Sequence, residues 1–208
     1  MTKIKLTKRI HKLPKITAWI YPRRIWFCPP QQVALTFDDG PHPETTPWLL
    51  QFLKKQDIKA TFFWLGENID KYPHFVKQAI AEGHTVGYHG YSHITADTLS
   101  LSKFKDYSKL PTTNHSFHYY RPPYGKINHK QAAWIEEQYK IVMWSWMAYD
   151  FDVDFSVAKI LERAKKDIKG GEIVVFHENE KSKDKLKEVL SDFIELVKEK
   201  GLIFKGVE

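Results

Sequence analysis

A single cysteine, Cys28, in 208 residues rules out an internal disulfide framework and any CxxC zinc site. No apolar run approaches the roughly eighteen residues of a spanning helix, and charge interrupts the N-terminus where a secretory leader needs an unbroken apolar stretch. Neither a transmembrane segment nor classical export is expected, and the location reads as cytoplasmic. Repeats, low-complexity tracts and an interdomain linker are missing as well. What remains, at 42% hydrophobic residues, is one domain large enough to bury a core unaided. Acidic residues are absent from the first 37 positions, which carry Lys3, Lys5, Lys8, Arg9, Lys12, Lys15, Arg23 and Arg24. The net charge of +7 therefore sits on an N-terminal arm, residues 1–32, ahead of a near-neutral domain, residues 33–208. With Trp19, Tyr21 and Trp26 on it, that arm either packs its aromatics on the domain or meets an anionic surface of lipid, glycan or nucleic acid. The body offers no basic groove, so specific nucleic-acid binding is not expected.

From Val33 onward, short β-rich runs alternate with segments of helical period. Val33–Phe37, Ala60–Trp64, Thr85–Tyr88, Phe117–Tyr120, Ile141–Trp146, Ile173–Phe176 and Leu202–Phe204 read as seven strands. Pro47 and Pro73 sit in the first turns of two helices, the second carrying Phe75, Val76, Ala79 and Ile80 inward and stopping at Gly83. Asn128 and Ser156 read as N-caps, and Leu186 to Val197 forms the apolar stripe of a last helix. Residues 94–116, rich in Ser, Thr, Lys and Asn, read as a long loop with a short helix. Alternation of this kind builds a mostly parallel sheet with helices outside, and about seven units in one small domain favour an α/β fold of the (β/α) barrel type.

The polar residues with chemical capacity fall just after strands. Asp38 and Asp39 follow the first, His89 and His93 the third, Arg121 the fourth, Asp150 the fifth and His177 the sixth. In parallel α/β folds the C-terminal strand ends open onto one face, so these residues converge there. His89 and His93, four apart, can face one cation, and Asp39 completes a set with open positions of the catalytic kind. Two adjacent aspartates cannot both enter one site as free anions; a metal on one and Arg121 on the other satisfies both. A carboxylate beside His177 keeps its acid form available, and Asp150 is the candidate, ahead of Asp152 and Asp154.

Thr36-Phe37-Asp38-Asp39-Gly40-Pro41, His89-Gly90-Tyr91-Ser92-His93, Arg121-Pro122-Pro123-Tyr124-Gly125, Asp150-Phe151 and Val174-Val175-Phe176-His177 stand in this order. Together they resemble the polysaccharide deacetylases of the NodB-homology type, carbohydrate esterase family four, over roughly residues 33–206. The resemblance implies a distorted (β/α) barrel and a hydrolase that removes N-acetyl groups from an amino-sugar glycan. It implies Asp38 as base, Arg121 as its orienting partner, and Asp39, His89 and His93 as ligands of one divalent metal ion, usually zinc. His177 is the implied general acid with Asp150 tuning it, the Tyr124 backbone N–H an oxyanion donor, and Val174 and Phe176 the lining of an acetyl pocket. Four positions depart from the family pattern: Gly90 for Ser or Thr, Met147 for Asp, Phe151 for a groove-wall Trp, and Glu178 for Asp. They leave the chemistry intact and alter substrate fit. Rival readings on the same scaffold are an O-acetyl esterase, a cyclic amidase, and a catalytically silent glycan-binding protein.

Overall fold

The structure, a computed structural model, describes residues 12–109, 111 and 115–207. Lys3, Lys5, Lys8 and Arg9 of the basic arm lie outside the described residues. The described strands are β1 (Arg24–Ile25), β2 (Gln32–Asp38), β3 (Thr61–Trp64), β4 (Thr85–Tyr88), β5 (Tyr119–Tyr120), β6 (Lys140–Val142), β7 (Trp146–Met147), β8 (Ile173–His177) and β9 (Ile203–Lys205). The helices are α1 (Ile16–Ile20), α2 (Thr45–Gln56), α3 (Gly66–Lys71), α4 (Pro73–Ala81), α5 (Leu101–Tyr107), α6 (His129–Glu136), α7 (Val157–Asp167) and α8 (Lys183–Glu199). Strands pair in parallel in the order β1-β6-β5-β4-β3-β2-β8-β7, with β9 on the early half of β2. All the strand ends that carry the sequence motifs therefore point the same way.

The expected strand over 141–146 is divided, and the chain crosses there between the two edges of the curled sheet. Its first half pairs with β5 and β1 at one edge of the sheet, its second half with β8 at the other. Between them the Met143 N–H donates to the Ile25 carbonyl and the Ser145 N–H to the Ile173 carbonyl, so three residues span the gap. Part of the lead-in joins the sheet. Arg24 and Ile25 form a strand in register with Ile141 and Val142, and the Cys28 N–H bonds the Gly171 carbonyl. This part of the arm is built into the sheet rather than laid on it. Two residues are too few to give a periodic signal, which is why the strand is invisible in the sequence.

Strand alternation sorts the core into two layers. On β2, Val33, Leu35 and Phe37 face the surrounding helices, while Ala34, Thr36 and Asp38 face the lumen. The lumen floor is apolar, made of Ala34, Phe63, Val142, Ile173 and Val207. Gly87 on β4 is required there: a Cβ would lie 2.7 Å from the Phe63 ring. The outer layer is larger, and α8 covers much of it with Leu186, Val189, Leu190, Phe193, Ile194 and Val197, all buried. Helix ends follow the sequence signals. Asn128 forms a capping box with Gln131, the Ser156 hydroxyl accepts from the Lys159 N–H, and α4 stops before Gly83 at φ +81°. Ile80, expected inward on α4, is 40% exposed because Phe75, Val76 and Ala79 already fill the contact.

The same alternation overturns the acetyl-pocket assignment of Val174 and Phe176. His177 faces the lumen, so Ile173 and Val175 share its face and Val174 and Phe176 must point outward. Both are fully buried under the helices, and Phe176 meets Phe193 of α8 edge to face with ring centroids 5.1 Å apart. Phe176→Ala is expected to cost about 3–5 kcal/mol of stability. Chemical denaturation measures that loss, and kinetics on the surviving folded fraction should show an unchanged KM.

Candidate active site

The C-terminal strand ends enclose a cleft of about 430 Å³ lined by Asp38, Asp39, His89, His93, Tyr124 and His177, with Trp144, Met147, Tyr149, Phe151, Asn179 and Lys181 completing its walls. Residues as far apart in the sequence as Asp38 and Lys181 thus meet in one place.

Arg121, which follows β5, crosses the lumen to β2. Its Nη1 donates to Asp38 Oδ1 at 2.6 Å and to Thr36 Oγ1 at 2.8 Å. Nε and Nη2 donate to the carbonyls of Val142 and Met143, and the guanidinium lies 4.0 Å above the Phe63 ring. Burial lowers its pKa from the ordinary arginine value, and Asp38 opposes that effect. The other Asp38 oxygen, Oδ2, lies 4.0 Å from His89 Nε2 and faces the ligand cluster.

Asp39 is held in a backbone conformation that side chains rarely adopt, φ 78°. Its N–H donates to the Phe63 carbonyl, its own carbonyl accepts from Asn68 Nδ2 at 2.8 Å, and Oδ2 accepts from Asn179 Nδ2 at 2.7 Å. That leaves Oδ1 buried without a hydrogen-bond partner, 3.6 Å from His89 Nε2 and 3.4 Å from His93 Nε2. Burial pushes His89 down to about 3, so its ring is neutral across the working range. Its Nδ1 lies 2.7 Å from the Arg121 carbonyl, an acceptor, which places the proton on Nδ1 and a lone pair on Nε2. Lone pairs of two imidazoles and a carboxylate thus converge, all within 4.8 Å, and a divalent cation satisfies them. The residues fit the metal that the motifs imply.

His177, the register partner of Asp38 on the adjacent strand, is held by both oxygens of Asp150, which accept from its backbone N–H at 2.7 Å and from its ring Nδ1 at 2.8 Å. Burial alone would lower its pKa; the adjoining Asp150 carboxylate outweighs burial and raises it to about 9. Phe151 packs edge-on against the ring at 4.6 Å, and the Ser182 hydroxyl donates to the His177 carbonyl at 2.6 Å. Tyr124, at φ 58° on the rim, packs its ring at a tilt against His93 with centroids 4.3 Å apart and is 56% exposed.

The structure brings together nine of the eleven residues singled out from the sequence and excludes Val174 and Phe176. The sequence reading missed Asn68 and Asn179, which hold Asp39. It missed Trp144, Tyr149 and Lys181 on the cleft walls, although Asn179 and Lys181 directly follow the strand end already marked by His177. Glu178 accepts from Trp64 Nε1 at 3.0 Å and from the Thr46 hydroxyl. Burial raises its pKa to about 7, and its Oε2 would lie 2.6 Å from a Cβ on Gly40, so this glycine and this glutamate are matched.

A family model described as polysaccharide deacetylase matches residues 28–143, more than half of the chain. The chain belongs to that family. A Bacillus cereus protein named peptidoglycan-N-acetylglucosamine deacetylase is 42% identical over 123 residues, which is 55% of this chain and 44% of that protein. The chain thus spans less than half the length of this curated relative. A solved peptidoglycan N-acetylglucosamine deacetylase with a bound N-oxidanyl-benzamide superposes with a TM-score of 0.81 at 31% identity, covering 94% of this chain and 95% of that one. A Bacillus anthracis protein described as a pseudoenzyme of carbohydrate esterase family four gives a TM-score of 0.78 at 26% identity, covering 88% and 67%. Both solved structures share the curled parallel sheet.

Two measurements check the site. Asp39→Asn and His89→Ala are expected to abolish stoichiometric divalent-metal binding in titration calorimetry while the fold persists. In Asp150→Asn the His177 pKa, read by NMR, should fall from about 9, because burial then loses its main opponent and only the weaker pull of Asp39 and Asp38 remains. Because the pair raises this pKa on folding, its stabilisation is complete below about pH 6.5 and is lost as pH rises through about 9.

Proposed function

We propose that the protein is a metal-dependent hydrolase that removes N-acetyl groups from an amino-sugar glycan of the peptidoglycan or chitin type and releases acetate. The observation that carries this reading is that two groups suited to proton transfer are each held by a buried partner beside the ligand cluster: Asp38 bonded to Arg121 and His177 bonded to Asp150. Membership in the family does not settle activity, since a pseudoenzyme shares the fold. The reading is supported by the retention of both Asp38 and His177, each with its buried partner.

Asp39, His89 and His93 would hold the metal, and two imidazole nitrogens with one carboxylate favour zinc. When bound, a divalent ion supplies Lewis-acid polarisation of the acetyl carbonyl and a more acidic water. Asp38, with Oδ1 held by Arg121, accepts the proton of the attacking water through Oδ2. The Tyr124 N–H is the donor assigned to the oxyanion that develops as the water oxygen bonds the carbonyl carbon. His177, its Nδ1 engaged by Asp150, delivers the Nε2 proton to the sugar nitrogen as the carbon–nitrogen bond breaks. The products are acetate and a glycan with a free amine. Phe151, Trp144 and Tyr149 supply flat apolar walls of the kind sugar faces stack on, and Met147 stands among them.

Acetate release from peptidoglycan fragments and chitooligosaccharides by zinc-loaded protein tests the proposal. Asp38→Asn should lower turnover by about 10²–10⁴-fold with metal content unchanged. Faster release from acetylated xylan than from any acetamide would move the assignment to an ester, and metal binding without turnover on any of these substrates would make the protein a silent binder.

A further inference from the structure

The lead-in divides its aromatic residues between core and solvent. Trp26 is buried, whereas α1 buries none of its five residues. Ile16 is 54% exposed, Trp19 80% and Ile20 54%, and their i, i+3, i+4 spacing puts them on one face of the helix. Tyr21 follows at 37%. The charge around this face is basic. Lys15 and Lys169 are exposed and line one cleft beside it, and the Arg23 side chain is 81% exposed. The nearby acids Glu136 and Glu172 each lie 3.5 Å from a cation of the lead-in, Arg23 and Lys12 respectively.

We infer that this face docks on an anionic lipid bilayer, with Ile16, Trp19 and Ile20 entering the headgroup region and the surrounding Lys and Arg meeting lipid phosphates. The isoleucines decide between anionic partners. Glycan and nucleic acid offer charge for lysine and stacking for tryptophan, but no aliphatic layer for two exposed isoleucines, whereas the bilayer interface accepts all three. Strand polarity fixes the consequence. Tyr21 precedes β1, and β1 runs parallel to the strands that end in Asp38, Tyr88 and His177, so α1 lies at the opposite end of the barrel from the cleft. A docked molecule turns its active site away from the lipid.

The experiment is co-sedimentation of the full chain with vesicles of phosphatidylcholine alone and of phosphatidylcholine mixed with phosphatidylglycerol. Binding is expected on the mixed vesicles, about tenfold or more weaker on the neutral ones, and declining as salt rises. Trp19→Ser combined with Ile20→Ser should weaken it by about tenfold or more while circular dichroism and acetate release stay as in the parent. Brominated lipid should quench the parent fluorescence more strongly than that of Trp19→Phe. Equal sedimentation with both vesicle types, or unchanged binding by the double variant, overturns the proposal. So does a self-associating parent that the double variant makes monomeric without vesicle binding by either, since the face would then belong to a second copy of the chain.

Discussion

A guanidinium enclosed in a parallel barrel governs the rest of the architecture. Arg121 is fully buried, and its charge is tolerable only because Asp38 answers it and the Thr36 hydroxyl and two carbonyls take its other donors. Those partners come from β2 and from the segment at the end of β6, so one side chain ties together strands separated by three others in the sheet. The carbonyls of Val142 and Met143 are available because the chain leaves the sheet there to cross the gap. The crossing between the sheet edges and the placement of Asp38 are therefore one event. An arginine of this length also needs the apolar floor beneath it, and the Phe63 ring, admitted by Gly87, provides the surface on which it rests.

Charge pairing then divides the labour among the carboxylates of the cleft. Asp38 is committed to Arg121 and Asp150 to His177, each by short bonds to a buried partner. Asp39 has one oxygen committed to Asn179 and one left facing two imidazole nitrogens. Asp39 Oδ1 has no hydrogen-bond donor and faces the bare Nε2 of His89, and a cation is the component that completes the set. His177 differs from His89 although both are buried, and the difference is its carboxylate: desolvation lowers both, and the Asp150 contact reverses the outcome for His177 alone.

Much of this was legible in the sequence because parallel strands deliver their C-terminal ends to one face, so the residue after each strand could be read as a member of one site. Asp39, His89, His93, Arg121, Asp150 and His177 were all found that way. The errors have equally physical causes. Val174 and Phe176 were placed in the cleft without applying the period of two that His177 itself imposes on β8. The run from Ile141 to Trp146 looks like one strand because it is rich in Ile, Val and Trp; only the curvature of the whole sheet requires it to change neighbours midway. Asn68 and Asn179 escaped because asparagine near a helix start or turn has a sufficient local explanation, and nothing local reveals that both amides reach Asp39.

The departure at Gly90 shows how a substitution that looks like a loss can be offset from elsewhere in the chain. The residue sits at φ +81°, and a Cβ there would lie 2.4 Å from Tyr107 Oη. Tyr107 itself donates its hydroxyl to the Ser92 carbonyl, in the turn that leads to His93. With no side chain at Gly90, the space beside its backbone goes to the phenol of Tyr107, which arrives on α5. The Gly90 carbonyl accepts from the Gly66 N–H and the Tyr91 carbonyl from the Glu67 N–H, so α3 braces the loop from its other side. The segment that reads as least ordered in the sequence, 94–116, thus carries a support for the metal-ligand loop. Weak hydrophobic periodicity there reflects a short helix that turns its tyrosine to the ligand loop and has Phe104 as its one fully buried residue.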